Sequence, residues 1–488
     1  MKRLNCKSAR WSSVIRTGVA VLFATATTSH ATTHERIAEI VNAETHYDLF
    51  SGTVLVAKDG KIVYAEGFGE ANKEYHIPIV LETRFNISSI QKTFIATVIM
   101  QLYQEGKLSL ADPLTKYYPE CPYPTANEIQ IKHLLNHTSG LGDYRDNDEY
   151  QTNADRYTCI DDVLPHVFGQ EPAFAPGERP RYSNAGVLLL KGIIEKTTGM
   201  KLAEAVAQRI FEPLGMSSTS FFVGGNLLPH RATAYQLAAD GTSYTRVLGE
   251  PSAYPGGGIY TTVLDMLKFD QALYTEELLS EATKTIMFTP EEANPNYANG
   301  WQVVEFGGTT VIYHGGASGG FNSSFRRYPE KGYTIVVLAN YEDAAFELAN
   351  KIDCMLLGLP YSLATEQDRD FRRAMTLQAY ESYAEAIKVF ANNCEGDSPH
   401  LPSLYQAARS RLLGEFEQEK AIEVLDRYIG LADESTSPSI AAAWWRKGVA
   451  YEQLGDVDTA IACHRKSLEL DEGFELAQEA LARLEAGE

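Results

Sequence analysis

Two apolar hairpin patterns stand at opposite ends of a long, mostly helical stretch, and few folds accommodate that order. The first is "GTVLVAKDGKIVYAEGFG" (residues 52–69), two alternating strands around Asp59-Gly60, a dipeptide suited to the left-handed backbone of a tight hairpin turn. The second is "SSFRRYPEKGYTIVVLANY" (323–341), turning near Pro329 to Gly332, and a further strand pattern, "TTVIYHGG" (309–316), precedes it. Residues 34–48 read as an amphipathic opening helix, 90–290 as mostly helical with Gly- and Pro-marked loops, and 343–357 as a closing helix. Strands at both ends with helices between them predict an α+β fold: an antiparallel sheet closed by the terminal elements, with a helical insert. The cleft between sheet and insert is the natural place for a substrate.

The pattern changes near residue 360. At 488 residues the chain is too long for one ordinary domain, and the remainder is helical and repetitive. Ala386-Ile387, Ala421-Ile422 and Ala460-Ile461 recur, and Leu413-Gly414 and Leu454-Gly455 precede the later two. The last unit, with Trp444, Gly448, Tyr451, Gly455 and Ala460, resembles the tetratricopeptide pattern, although Lys447 replaces its leucine and Glu472 its helix-ending proline. About three units are expected, the first degenerate. Such stacked helix pairs offer a surface for a protein partner or a self-contact.

The first 31 residues read as a secretory signal peptide. Lys2, Arg3, Lys7, Arg10 and Arg16 precede the short apolar run "GVAVLFATA", and Ser29 and Ala31 fit a small-residue cleavage site. The run is about half the ~20 residues that span a bilayer, so no stable membrane anchor is expected. The expected organisation is therefore 1–31 signal peptide, 32–362 the first domain and 363–488 the helical repeats, with the mature protein periplasmic or secreted. The formal net charge is −21, and −26 without the leader's five basic residues. Such a surface repels phosphate backbones and anionic lipid, so nucleic-acid binding is not expected. Outside the leader five cysteines remain, none in a C-x-x-C pair; neither a disulfide framework nor a zinc site is indicated.

The stretch "RFNISSIQKTF" (84–94) carries the first chemical signal. Of its two serines only Ser89 has a lysine three residues on, Lys92, on the same helical face; Ser88 looks across to Gln91, which cannot take a proton. A lysine base must be neutral, and bringing its pKa from about 10.4 to near 7 takes roughly 4 kcal/mol. A helix N-terminus supplies only ~0.3–1 kcal/mol, so burial must do most of it. Further on, "FAPGERPRYSNAG" (174–186) offers Tyr182, a phenol able to relay a proton, and Asn184, able to hold a substrate amide. "YHGGASGGF" (313–321) ends a strand at His314-Gly315-Gly316, a side-chain-poor edge that lets a substrate approach backbone N–H donors.

These three motifs, in this order, resemble the serine β-lactamase and penicillin-binding-protein family, in its class C, D-aminopeptidase and esterase branch. Ser89-x-x-Lys92, Tyr182-x-Asn184 and His314-x-Gly316 match its elements, supported by "HLLNHTSGL" (133–141), "EPLGM" (212–216) and "GGGIYTTVLDMLKF" (256–269). The resemblance spans roughly residues 35–360. It implies the β-lactamase-like fold, Ser89 as nucleophile, Lys92 as its base partner and Tyr182 as a proton shuttle, the division of the base role staying open. It also implies an oxyanion hole from the Ser89 and Ala317 backbone N–H groups, with no metal or organic cofactor. Two departures stand out: His314 replaces the lysine of K-T-G and Gly315 its threonine. A fixed cation and a hydroxyl for a substrate carboxylate are lost, although an ordinary histidine would be partly charged near neutral pH. The expectation is an exported serine hydrolase cleaving an amide or ester, a D-amino-acid-containing peptide or small ester. The alternatives are a β-lactamase or D-alanyl-D-alanine carboxypeptidase, and an exported sensor or scaffold without turnover.

Other motifs read as structural. Ser318 in "GASGG" lacks the strand-to-helix context of a nucleophile elbow. His137 sits between a helical run and a turn without metal-ligand company, and "DNDEY" (146–150) reads as a solvated loop. "PGGGIYTT" lacks the lysine of a phosphate loop. Asn86, Asn136 and Asn322 fit the N-x-[ST] triplet but are expected to be buried beside the motifs.

Overall fold

The structure, a computed structural model, describes residues 31–157, 159–222, 227–247, 258–395, 399–434 and 436–486. The expected leader lies outside these residues apart from Ala31, as do the first two glycines of "GGGIYTTVLDMLKF". Two compact units emerge, one of residues 30–236 and 244–365, the other of 237–243 and 366–488. No helix among the described residues is long and apolar enough to cross a membrane.

The first unit is built on a seven-stranded antiparallel sheet. From one edge its strands are Tyr297–Ala298, Trp301–Phe306, Thr309–Ser318, Phe321–Tyr328, Tyr333–Ala339, Gly52–Lys58 and Lys61–Phe68. The N-terminal hairpin thus closes on the C-terminal one, Val54 opposite Val337 and Val56 opposite Ile335. Asp59 and Gly60 both take the left-handed conformation (φ 50° and 73°) that a two-residue hairpin turn requires. Strand alternation sorts the two faces. Val54, Val56, Ile335 and Val337 pack under the helices Thr33–His46 and Ala344–Leu357. Leu55, Phe325, Val336 and Leu338 face the helical insert. Two ion pairs repeat that alternation inside the protein: Arg326 meets Asp353 of the closing helix, and Arg327 meets Asp270 of the insert at 2.6 Å. Removing one partner of such a pair strands a buried charge, which typically costs about 3–5 kcal/mol.

The insert also holds short strands that the helical reading of 90–290 omits, among them Ser220–Phe222 and Gly258–Thr261; the latter pairs with Phe85–Asn86 just ahead of Ser88. Three or four residues per strand carry too little alternation to show in a sequence pattern. "DNDEY" is helical rather than a loop, split between the turns Tyr144–Asp146 and Asp148–Asn153, with Tyr150 buried.

The second unit contains the helices Glu366–Ala379, Tyr383–Asn392, Leu401–Leu413, Gln418–Leu431, Ile440–Leu454, Val457–Leu470 and Glu475–Glu485. Ala386, Ala421 and Ala460 fall in the second helix of three successive pairs, each fully buried. Gly448 shows why the pattern needs small residues: a Cβ there would lie 2.4 Å from the His464 ring.

Candidate active site

Ser88–Ile90 form a 3-10 turn that runs directly into the helix Gln91–Gln104. Ser88 has a left-handed backbone, φ 49°, a conformation that costs a non-glycine residue energy and persists only when neighbours hold it. Asn86 does so, its Oδ1 accepting the Ser88 N–H at 2.7 Å. Ser88 Oγ is buried and has no hydrogen-bond partner among the described residues. Lys92 Nζ instead reaches Ser89 Oγ at 2.9 Å. The two serines thus differ in the structure as their spacing to Lys92 implied.

Lys92 is 5% exposed. Burial lowers its pKa to about 7, Arg145 pushes the same way and Asp143 opposes. About half of a lysine with that pKa is neutral at neutral pH. Tyr182 completes the cluster: Nζ of Lys92 lies 5.0 Å from its ring centroid, and Ser89 is near enough to its phenol to lower the phenol's pKa. The Tyr182 side chain is 47% exposed, yet its hydroxyl end faces Ser89. Desolvation there outweighs Ser89 and raises the phenol to about 12. The three groups expected to do the chemistry are therefore brought together in one cluster.

Tyr182 is held from behind. Ser183 N-caps the helix Asn184–Thr198, accepting from the Gly186 N–H, and its own N–H donates to Nδ1 of His137 at 3.2 Å. The His137 ring packs 4.3 Å from Tyr182 and 4.7 Å from Tyr297, centroid to centroid. Burial first, then the Lys92 charge and the neighbouring His314 ring, hold its pKa well below 6.5. His137, read from the sequence as structural, has a specific structural place: it backs the Tyr182 segment. Its only sequence signal was the "HTSGL" motif, since the turn that brings residues 137 and 183 together is not local.

Asn184 directs Nδ2 to Oδ2 of Asp143 at 2.6 Å, and Asp143 is in turn paired with Arg145. Neither acid nor arginine was singled out by sequence.

The third motif lies on Thr309–Ser318. The neighbouring strand pairs with it only as far as Tyr313, so 314–318 are paired on one side only, by Phe321–Tyr328. That segment packs beside the Ser88–Ile90 turn. A Cβ at Gly316 would sit 2.2 Å from the Ile87 carbonyl oxygen, so only glycine permits the approach. At Gly315, on the opposite face, a Cβ would sit 1.7 Å from Phe346 Cζ. Gly315 is thus required by packing against the closing helix, and its lost hydroxyl would not have faced Ser88. Ala317 is exposed, next to Gly316. Ser318 ends the strand at the turn to Phe321, with no helix after it.

His314 corrects an expectation. It is 2% exposed; its Nδ1 bonds the Gly315 carbonyl at 2.7 Å, which can only accept, so Nδ1 carries the proton. Nε2 then accepts from the Tyr297 hydroxyl at 3.1 Å. Burial, then Lys92, lower its pKa to about 3. The ring is neutral at pH 7, so the third motif supplies no cation. Asn86, Asn136 and Asn322 are each at most 2% exposed, as their place beside the motifs implied. Among the described residues no group of three His, Cys, Asp or Glu side chains is placed to hold a metal ion.

The Beta-lactamase family matches residues 33–354, and the Tetratricopeptide repeat family residues 441–474. Penicillin-binding protein 4* of Bacillus subtilis (strain 168) is 32% identical over 367 residues, 68% of this chain and 78% of that one. A penicillin binding protein from Bacillus halodurans superimposes with a TM-score of 0.59 at 30% identity, covering 65% of this chain and 98% of its own. A D-stereospecific amidohydrolase from Streptomyces sp. does so with a TM-score of 0.56 at 26% identity, covering 65% and 97%.

Proposed function

The chain belongs to the beta-lactamase family of serine hydrolases, and from that premise we propose that it cleaves an amide or ester through an acyl-enzyme on Ser89. One observation carries the reading: the Ser89 hydroxyl lies 2.9 Å from the amine of a lysine whose pKa is about 7, with the Tyr182 ring 5.0 Å from that amine. Neutral Lys92 takes the Ser89 proton as Oγ attacks the acyl carbon. The backbone N–H groups of Ser89 and Ala317 are assigned to the oxyanion, and the proton passes through Tyr182 to the leaving nitrogen or oxygen as its bond to the acyl carbon breaks. Water then attacks the ester, giving its proton back through the same groups to Ser89 Oγ and releasing the acid.

The absence of a charged third-motif side chain bears on the substrate. A penicillin or a peptide C-terminus presents a carboxylate beside the scissile bond. With His314 neutral, the site favours a substrate without that charge, such as a D-amino-acid amide or a small ester. The similarity to a D-stereospecific amidohydrolase points the same way. We further propose export, on the leader pattern of residues 1–31.

The test is intact-mass labelling with a fluorophosphonate and with a penicillin, comparing the unsubstituted protein with Ser89→Ala and Ser88→Ala. Loss of the phosphonate adduct only in Ser89→Ala is the expected result. An adduct that survives in Ser89→Ala overturns the assignment. Rapid, turned-over labelling by the penicillin would move the substrate towards β-lactams.

A further inference from the structure

Half-buried cations of the helical unit meet acids: Arg411 pairs with Glu417 at 3.1 Å and Lys447 with Asp426 at 2.5 Å. Two neighbours do not. Arg409 and Arg446 have no acid partner among the described residues. They lie on the first helices of adjacent pairs, Leu401–Leu413 and Ile440–Leu454. Arg446 Cζ sits 4.3 Å from the Trp445 ring centroid and 5.9 Å from that of Tyr405, about one helical turn before Arg409. Burial, then the Arg446 charge, lowers the Arg409 pKa, opposed only by Tyr405 and Tyr383. An arginine stays protonated even so, and two cations therefore stand together. In a chain of net charge −21, that pair is left without a neutralising carboxylate.

The hydrogen bonds show what the pair still offers. Arg409 Nη1 donates to Gln378 Oε1 at 3.0 Å and to Gln406 Oε1 at 3.3 Å. Both acceptors are neutral, and using the oxygen of Gln406 leaves its amide nitrogen without a partner among the described residues. Nε of each arginine is buried without a hydrogen-bond partner, although both side chains are part-exposed. Nη2 of Arg409 and both Nη atoms of Arg446 are also unbonded, and these are not buried. The groups left over on these three side chains are donors only, which is the chemistry of an anion site.

We propose that Arg409 and Arg446 bind a protein partner through an acidic segment, one carboxylate on the end of the Arg446 guanidinium and another on Arg409 and Gln406. A guanidinium meets a carboxylate edge to edge, and the rings against Arg446 fix its plane. Stacked helix pairs present extended surfaces to protein partners. A long polyanion would meet the negative field of the whole chain, whereas a short acidic peptide meets chiefly the two nearby cations. The inference is independent of the Ser89 chemistry.

The experiment titrates the full chain against a fluorescein-labelled dodecapeptide of alternating glutamate and serine, read by fluorescence anisotropy. The same peptide with glutamine for glutamate is the control. Saturable binding of the acidic peptide alone, weakening as salt rises, is the expected result. Arg409→Gln and Arg446→Gln each weaken it about tenfold. The double variant Lys388→Gln/Arg465→Gln, which removes two exposed, ion-paired cations, changes it less than about twofold. Circular dichroism melts check that each variant folds. Trp445 gives a second reading that needs no arginine replaced: peptide binding to the unsubstituted chain shifts its emission, and the shift is lost in Trp445→Phe. Equal affinity for the two peptides overturns the proposal, as do absent binding, unchanged affinity in both arginine variants, or an equal loss in the Lys388/Arg465 variant. An emission shift that persists in Trp445→Phe places the peptide elsewhere and does the same. So does a dimer, seen by sedimentation, that Arg446→Gln dissolves, because a second copy would then fill the site.

Discussion

Lys92 Nζ lies 2.9 Å from Ser89 Oγ inside a neighbourhood where burial, not an opposite charge, sets its protonation. Around it stand Tyr182, His137, His314, Lys191, Arg145 and Asp143. Both histidines are held neutral near pH 7, so the trimming charges are Arg145, which lowers the Lys92 pKa, and Asp143, which raises it. Activity that needs neutral Lys92 rises with pH through about 7. Asp143→Asn removes the raising charge and moves the acid limb of kcat/KM to lower pH; Arg145→Gln moves it higher. Opposite shifts measured by pH–rate profiles are the expected outcome. Limbs that coincide in all three proteins would remove Lys92 as the group being titrated.

His137 should matter through Tyr182. Replacing it by alanine leaves the Ser183 N–H without its acceptor and opens space behind the Tyr182 ring. We expect kcat to fall roughly 10- to 100-fold with KM little changed, since a misplaced proton relay weakens the chemical step more than binding. Asparagine, whose side-chain oxygen can accept from Ser183, should recover part of the loss. A His137→Ala enzyme with unchanged kcat would show that the contact is packing alone.

The sequence made the sheet legible because its hairpins are local: Asp59-Gly60 and Pro329–Gly332 each join strands adjacent in the chain, and alternation does the rest. The helix repeat was legible because Ala386, Ala421 and Ala460 repeat one packing constraint. Ser89 and Lys92 could be paired because they are three residues apart. What stayed hidden depends on contacts between distant segments. The neutrality of His314 requires Tyr297 and the depth of the cleft, and the role of Asp143 requires a loop folded onto Asn184, 41 residues on. Gly315 misled because glycine carries no sign of which face it protects; Phe346 is what shows it.

Adjacent glycines of the third motif should respond differently to a single methyl. Gly316→Ala drives a Cβ into the Ile87 carbonyl, on the face of the Ser88–Ile90 turn, so stability and acylation by the fluorophosphonate should both fall. Gly315→Ala meets Phe346 instead, and overpacking of that kind typically costs about 1–3 kcal/mol. Adding Phe346→Ala should restore part of the stability to Gly315→Ala and none to Gly316→Ala. Thermal melts and labelling rates on the four proteins decide it; rescue of Gly316→Ala would mean the strand faces are assigned the wrong way round.

Neutral buried histidines also leave a signature in stability. His314 has a folded-state pKa of about 3 and His133 about 4, against about 6.5 when unfolded. Because both folded values are depressed, the unfolded chain binds protons that the folded chain refuses. Stability is therefore full above about pH 6.5 and is lost as pH falls towards 4, by on the order of 1 kcal/mol per pH unit for each group. His133 offers the cleaner measurement, since its Nδ1 accepts from the Gln130 N–H away from Ser89. Denaturant unfolding at pH 7, 6 and 5 should show His133→Gln and His314→Gln each losing less stability on acidification than the unsubstituted protein. If the His314→Gln curve ran parallel to it, His314 would already be charged in the folded state. A cation would then stand at the third motif, and carboxylate-bearing substrates would return to favour.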